Sequence, residues 1–263
     1  MRSRFIGVLF AIACALSGSW ALAQEDQTQV GYAVISPGSG TSTMPESVDV
    51  FQTFAFTHTG GEQQAGLPAT QITTTGLMFV DVSDSAGDDT AIAFTNPNSA
   101  PAQIQLTLYR QDGTIVERRT DVIQARLQTP LYVTELFPGV AELQEEFTGT
   151  LAFQSSVPVA AISLRFRNAS FSTEPISQLS EPQPIPPIGT ASDPLFMLPN
   201  IVAGGGWTTE IVVLNPSSSN ATVRLDFFSS GGSPQNFTVN GDTRSTFPSF
   251  TIRARGVLVL QVE

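Results

Sequence analysis

The chain predicts an all-β fold of two antiparallel β-sandwich units, on three observations. Thr90 to Gly113, TAIAFTNPNSAPAQIQLTLYRQDG, returns without a gap at Thr209 to Gly232 as TEIVVLNPSSSNATVRLDFFSSGG, so one building unit occurs twice. Turn residues recur at roughly ten-residue spacing between short β-prone runs. Helical periodicity is nearly absent. The pairing of the copies holds residue by residue: Asn96-Pro97 with Asn215-Pro216, Ala102 with Ala221, Leu106 with Leu225, Gly113 with Gly232.

Before the fold comes a leader. Residues 1–23 carry Arg2 and Arg4, an apolar run, and Ala21-Leu22-Ala23 ahead of Gln24, the three-part pattern of a cleaved secretory signal peptide. Cleavage there removes Cys14, the only cysteine, so neither disulfide nor thiol chemistry is expected in the mature protein. A second reading takes Ala11-Ile12-Ala13-Cys14 as a lipoprotein processing site, with Ala11 where the usual Leu stands. Nothing after the leader approaches the roughly 20 apolar residues of a membrane-spanning helix. Loss of Arg2 and Arg4 leaves 10 basic residues, all Arg, against 23 acidic ones, a net charge of −13. Such a surface repels phosphate backbones and anionic lipid, which argues against nucleic-acid partners.

From residue 24 to residue 67 the sequence is polar, with β-like runs at Gly31 to Ile35 and Val48 to Thr57. Residues 68–175 form the first predicted unit. Leu77 to Val82 is its first strand, with Phe196 to Ile201 as counterpart at the same offset. Thr90 to Thr95 and Ala102 to Tyr109 follow as a hairpin around Asn96-Pro97; in the second run Ile104, Leu106 and Leu108 alternate with Gln103, Gln105 and Thr107, a half-buried antiparallel strand. Gln111-Asp112-Gly113-Thr114 turns the chain into Thr114 to Ile123. Thr129 to Leu136 reads as a short helix with Pro130 in its first turn and Pro138-Gly139 as its stop. Phe147 to Phe153 and Val157 to Phe166 read as a hairpin around Ser155-Ser156. Five prolines make residues 176–194 a stiff linker, and the second unit occupies residues 195–263, ending in the β-prone Val257-Leu258-Val259-Leu260-Gln261-Val262.

The succession GYAV, FVD, TAIAFTNPNSAPAQIQLTLYRQDG, ELFPG, FTGTLAFQSSVPVAAISLRF and FMLPNIVAGGGWTTEIVVLNPSSSNATVRLDFF resembles immunoglobulin-like modules found in tandem in secreted bacterial surface proteins. The resemblance spans nearly all of the chain after the leader. It implies a β-sandwich in a surface or extracellular setting and brings no catalytic or binding residues with it. In the tandem pattern, GYAV and the run after it follow the GGGWTTE unit, whereas here they stand first. The N-terminal strands of residues 24–67 are therefore expected to complete the second unit, within one chain or between neighbours.

Chemistry-bearing residues are sparse. His58 is the only histidine, placed at a strand end beside Gly60-Gly61, with no second His or Cys to share a metal and no Gly-x-Ser-x-Gly elbow for a hydrolase triad. Asp81, Asp84, Asp88 and Asp89 form an oxygen-rich loop that is a weak calcium candidate; its spacing is not that of an EF-hand, and Asp is also a common turn residue. Gly204-Gly205-Gly206 lacks the helix and Lys of a phosphate loop, and Trp207 after it either packs over the core edge or stacks on a sugar ring. Arg165 and Arg167 are expected to face solvent near Glu145 and Glu146, with Leu164 and Phe166 facing in. Asn168, Asn220 and Asn236 head glycosylation triplets, which matter only in a host that glycosylates.

No catalytic residue, metal site or cofactor follows from these patterns. The expected function is a secreted, non-enzymatic protein in adhesion or structure at the bacterial cell surface, periplasm included, with a protein or glycan partner. A carbohydrate-binding module and a head-to-tail strand-exchanged filament subunit are the alternatives.

Overall fold

The computed structural model describes residues 51–58, 61–68, 72–168, 170–179 and 198–263, with Ala33 and Thr70 as isolated positions. The leader, all but Ala33 of Gly31 to Ile35, and most of the proline-rich linker lie outside the described residues. The described chain is almost entirely β. An N-terminal hairpin joins β1 (Phe51–His58) to β2 (Gly61–Pro68) in register along its whole length. The first unit contains β3 (Thr73–Ser83), β4 (Asp88–Thr95), β5 (Ala102–Arg110), β6 (Ile115–Ile123), β7 (Gln128–Tyr132), the single helical turn α1 (Val133–Leu136), β8 (Glu146–Arg167) and β9 (Ser170–Glu174). The second contains β10 (Thr209–Leu214), β11 (Ala221–Asp226), β12 (Phe237–Val239), β13 (Asp242–Arg244), β14 (Thr246–Ile252) and β15 (Val257–Val262).

The first unit is organised by β8, a single strand of 22 residues. Its first half pairs with β3 and β5, and its second half with β4 and β9, so one strand serves both layers. The hairpin expected around Ser155-Ser156 is therefore absent, and the chain runs straight on. Local bonds explain the change of partner: the Ser155 hydroxyl donates to the Val157 carbonyl, and the Ser156 hydroxyl accepts the Gln103 N–H. Pro158, which has no N–H to give a ladder, sits between the two runs of pairing. Between the layers Met78, Val80, Ile92, Phe94, Ile104, Leu106, Leu108, Leu151 and Phe153 form the core, with Phe94 edge-on to Phe153 at 5.1 Å.

Two further expectations are corrected. The strands flanking Asn96-Pro97 are not a hairpin, since β4 pairs with β7 and β8 while β5 pairs with β6 and β8. The Asn-Pro stretch carries the chain from one layer to the other. Residues 128–132 are strand rather than helix, and Pro130 is accommodated because β7 is an edge strand. The linker boundary also moves, because Ile176 packs on the first core and Ser177 exchanges backbone bonds with Leu77.

In the second unit β10, β15, β12 and β13 form one sheet and β11 and β14 a ribbon. Their core is Ile211, Phe227, Val239, Phe247, Leu260 and Val262. β10 pairs with β15 as β4 does with β7, and β11 with β14 as β5 does with β6. The β12–β13 hairpin, inserted between β11 and β14, has no counterpart in the first unit. As for the N-terminal strands, among the described residues β1 pairs with β2 and with no strand of the second unit, while the Thr173 hydroxyl of β9 donates to the Gly66 carbonyl of β2.

Candidate functional site

The repeat is most exact where a polar side chain is buried. Nδ2 of Asn96 donates to the carbonyls of Ala100, Ile123 and Gln124, and its Oδ1 accepts the Asn98 N–H. Asn215 does the same with Ser219, Ile252, Arg253 and the Ser217 N–H. A buried amide costs several kcal/mol unless it is bonded, so this residue type is dictated by three carbonyls converging where the chain changes layer. The repeat extends past its uninterrupted 24 residues: Ile123-Gln124-Ala125-Arg126 is matched by Ile252-Arg253-Ala254-Arg255. Arg126 and Arg255 both take the left-handed conformation, at φ 62° and 61°. The Arg126 N–H bonds Asn98 and the Arg255 N–H bonds Ser217. Sequence reading missed this Ile-x-Ala-Arg motif because ten added residues around β12 and β13 shift its offset from 119 to 129.

A second shared device corrects the alignment of the preceding strand. The Thr90 hydroxyl accepts the Asp81 N–H and donates to the Asp81 carbonyl; the Thr209 hydroxyl makes the same pair of bonds with Val202. Val202 rather than Asn200 is thus the counterpart of Asp81, and the matching stretch lies two residues later than the sequence suggests. That stretch, residues 198–203, is not a strand. In the first unit its equivalent, β3, is held by β8, and among the described residues the second unit has no such strand.

The four aspartates of the first unit do not converge. Asp81 accepts from Thr148 and pairs with Arg165, and Asp88 is buried in a forked pair with Arg167. Asp89 accepts the Thr90 N–H and the Thr134 hydroxyl, while Asp84 is exposed. Among the described residues no three His, Cys, Asp or Glu side chains are arranged to hold a metal ion. Burial raises the Asp89 carboxyl to about 6, against the opposing bonds from Thr90 and Thr134, and raises the neighbouring Tyr132 phenol to about 12.

Arg165 is not on a solvated face. It lies over the Phe79 ring, 5.4 Å from the centroid, and bridges Asp81 of the first unit to Glu210 of the second. Burial works against the charge on both sides of the Arg165–Glu210 pair. Attraction outweighs it: the guanidinium is pushed up, and the Glu210 carboxyl is held below the usual range. Glu145 and Glu146 take no part in this pairing. Leu164 and Phe166 do bury, in a small separate cluster with Ala91, Tyr132 and Phe171. Two hydrogen bonds complete the joint between units: the Val257 N–H donates to the Gln111 carbonyl, and the Thr150 hydroxyl to the Arg255 carbonyl at 2.7 Å.

The remaining candidate is the glycine turn. Gly204 and Trp207 exchange two backbone bonds of 3.0 Å around Gly205-Gly206, both at positive φ, a geometry that glycine adopts without cost. Trp207 does not pack over the core, being 68% exposed, with Leu198 50% and Val202 36% exposed nearby in sequence. His58 faces Gly61 across the β1–β2 turn, at the strand end where the sequence places it. Asn168 sits in the β8–β9 turn, and Asn220 accepts the Ala254 N–H.

No family model and no curated protein matches the chain. Among solved structures it is similar to the Anabaena sensory rhodopsin transducer, at 17% identity and TM-score 0.29, over 35% of this chain and 96% of that one. It is also similar to Thermotoga maritima 1070, at 17% identity and TM-score 0.31, over 38% of this chain and 90% of that one. At such scores neither likeness carries an argument about fold or function.

Proposed function

We propose that this is a secreted, non-enzymatic protein with an adhesive or structural role at the bacterial cell surface, its two units being immunoglobulin-like sandwiches. The observation that carries the reading is a run of exposed large apolar side chains at the start of the second unit, Leu198, Val202 and Trp207, within ten residues of one another along the chain. Large exposed apolar side chains mark contact surfaces more often than chance exposure does when they gather in one region. The acidic charge supports a partner that is neither nucleic acid nor anionic lipid. Purified protein, labelled and spun down with intact host cells, is expected to sediment with them, and Trp207→Ala to weaken that binding. Retention no greater than that of an unrelated protein of equal negative charge defeats the proposal.

Exposure of Trp207 also favours a second reading, binding of a sugar ring on the indole face. Trp20 falls in the predicted leader, so Trp207 is the sole tryptophan reporter in a chain starting at Gln24. Titration with polysaccharides should shift its fluorescence. An unchanged spectrum at saturating sugar removes this reading.

A further inference from the structure

The N-terminal hairpin is itself a repeat of part of the first unit. β8 turns into β9 through two residues, with Arg167 opposite Ser170, and β1 turns into β2 through two residues, with His58 opposite Gly61. Both pairs are related by one offset of 109, and the same offset places Ser47-Val48-Asp49-Val50 on Ser156-Val157-Pro158-Val159. β1 and β2 are thus the counterparts of the second half of β8 and of β9.

Their edges differ. The second half of β8 has β9 on one side and β4 on the other, whereas β1 has β2 on one side and, among the described residues, no strand on the other. β4 lies between β7 and β8, whereas β10 has β15 on one side and, among the described residues, no ladder on the other. Among the described residues, one chain therefore presents two unpaired edges whose equivalents pair with each other in the first unit. The second unit shows what the missing strand would cover: Phe94 is buried in the first core, while its counterpart Val213 is only half-buried.

We infer that β1 of one copy of this chain pairs antiparallel with β10 of a second copy, so that the protein self-associates head to tail. The β4–β8 register, carried across by the two offsets, sets Phe54 opposite Ile211, Thr53 opposite Val212, Gln52 opposite Val213 and His58 opposite Trp207. In this register Phe54 holds the position of Ser163 and Phe56 that of Arg165. A second copy is the occupant because in its own chain β2 is engaged with β9 through Thr173, which leaves both edges open at once. Such a contact joins two different surfaces, so it repeats from copy to copy rather than closing on a pair. The hairpin replaces only the second half of β8, and the open edge of β11 is no part of the inference. The inference is independent of any cell-surface partner.

The test uses two full-length variants, Thr53→Cys and Val212→Cys, each carrying Cys14→Ser so that the introduced thiol is alone. Directly opposed residues on antiparallel strands bring their Cα atoms to about 4.5–5.5 Å, within disulfide range. On mixing under mild oxidation the expected product is a disulfide-linked dimer of one chain of each kind. Thr53→Cys mixed with Val213→Cys, one residue out of register and on the opposite face, is expected to give several-fold less. The wild-type mass by light scattering is expected to rise with concentration. A mass that stays monomeric, or equal crosslinking at positions 212 and 213, overturns the inference. So does a Thr53→Cys/Val212→Cys double variant that bridges within one chain, since the two edges then satisfy each other internally.

Discussion

Arg165 of β8 pairs with Glu210 of β10 and so joins the two units, and Asp81 shares the same guanidinium. The side chains are only 12–24% exposed, so the pair is shielded enough to matter and wet enough not to carry the full value of a buried bridge. Breaking a buried pair costs roughly 3–5 kcal/mol and an exposed one under about 1. Arg165→Met, which leaves two carboxylates facing each other, is expected to cost about 1–3 kcal/mol in denaturant unfolding. Glu210→Gln keeps an acceptor for Arg165 and should cost less. The Glu210 carboxyl titrates below its unfolded value, so its contribution is present above pH 4.5 and disappears as pH falls through the lower folded value. Equal stability of Arg165→Met and wild type at neutral pH would show that the units are not coupled here.

The equivalence of Asn96 and Asn215 is open to a matched test. Each substitution to Ala strands three carbonyls and one N–H, which places the expected loss at about 2–3 kcal/mol per site. Asp is expected to be worse than Ala at both, because a carboxylate oxygen would then face the carbonyls that Nδ2 now serves. Hydrogen exchange should locate the loss in β4 to β7 for Asn96 and in β10 to β15 for Asn215. A large loss at one site and none at the other contradicts the shared architecture.

Gly113 and Gly232 occupy equivalent turns, at φ 79° and 82°, but only one meets a neighbour. A Cβ at Gly113 would lie 2.1 Å from the Ala254 carbonyl oxygen of the second unit, and one at Gly232 would meet nothing within 4 Å. Gly232→Ala therefore carries only the left-handed backbone cost, about 1–2 kcal/mol. Gly113→Ala carries that and the clash as well. The difference between their melting temperatures measures the joint between units, and identical values would mean that the β5–β6 turn is not packed there.

How much of this was legible beforehand follows from what a single strand can say about its partners. The strands themselves were visible, because Ile104, Leu106 and Leu108 alternate with polar residues on a sheet with one wet face. Partner choice was not, and β8 shows why: Ser155-Ser156-Val157-Pro158 looks like a turn in one dimension, and only the bonds to Gln103 and Val157 make it a crossing between layers. The role of Asn96 was half visible, as a repeated Asn-Pro whose function needs three carbonyls from distant residues. Arg165 looked solvated because Leu164 and Phe166 alternate with it, yet both faces of that strand are covered. Trp207 could be read either as packed over the core edge or as exposed, because one strand does not say which way a turn holds a side chain; its glycine turn holds it out in solvent.

Asp89 gives the fold a pH dependence of the opposite sign to that of Glu210. Burial raises its carboxyl to about 6, so between roughly pH 4 and pH 6 the folded chain holds a proton that the unfolded chain has released. Stability attributable to this group is therefore full in acid and falls as pH rises through 6, because ionisation must then occur against burial and the nearby Glu135. Asp89→Asn keeps an oxygen to accept the Thr90 N–H and an amide to meet the Thr134 hydroxyl, while removing the charge. It is expected to stabilise the protein at pH 8 by up to about 3 kcal/mol, since one pKa unit corresponds to about 1.4. At pH 4 the variant and the wild type should unfold together. Melting curves across pH 4 to 8 decide the matter: a gain that is constant with pH points to packing rather than ionisation, and no gain at pH 8 means that the carboxylate is already satisfied where it lies.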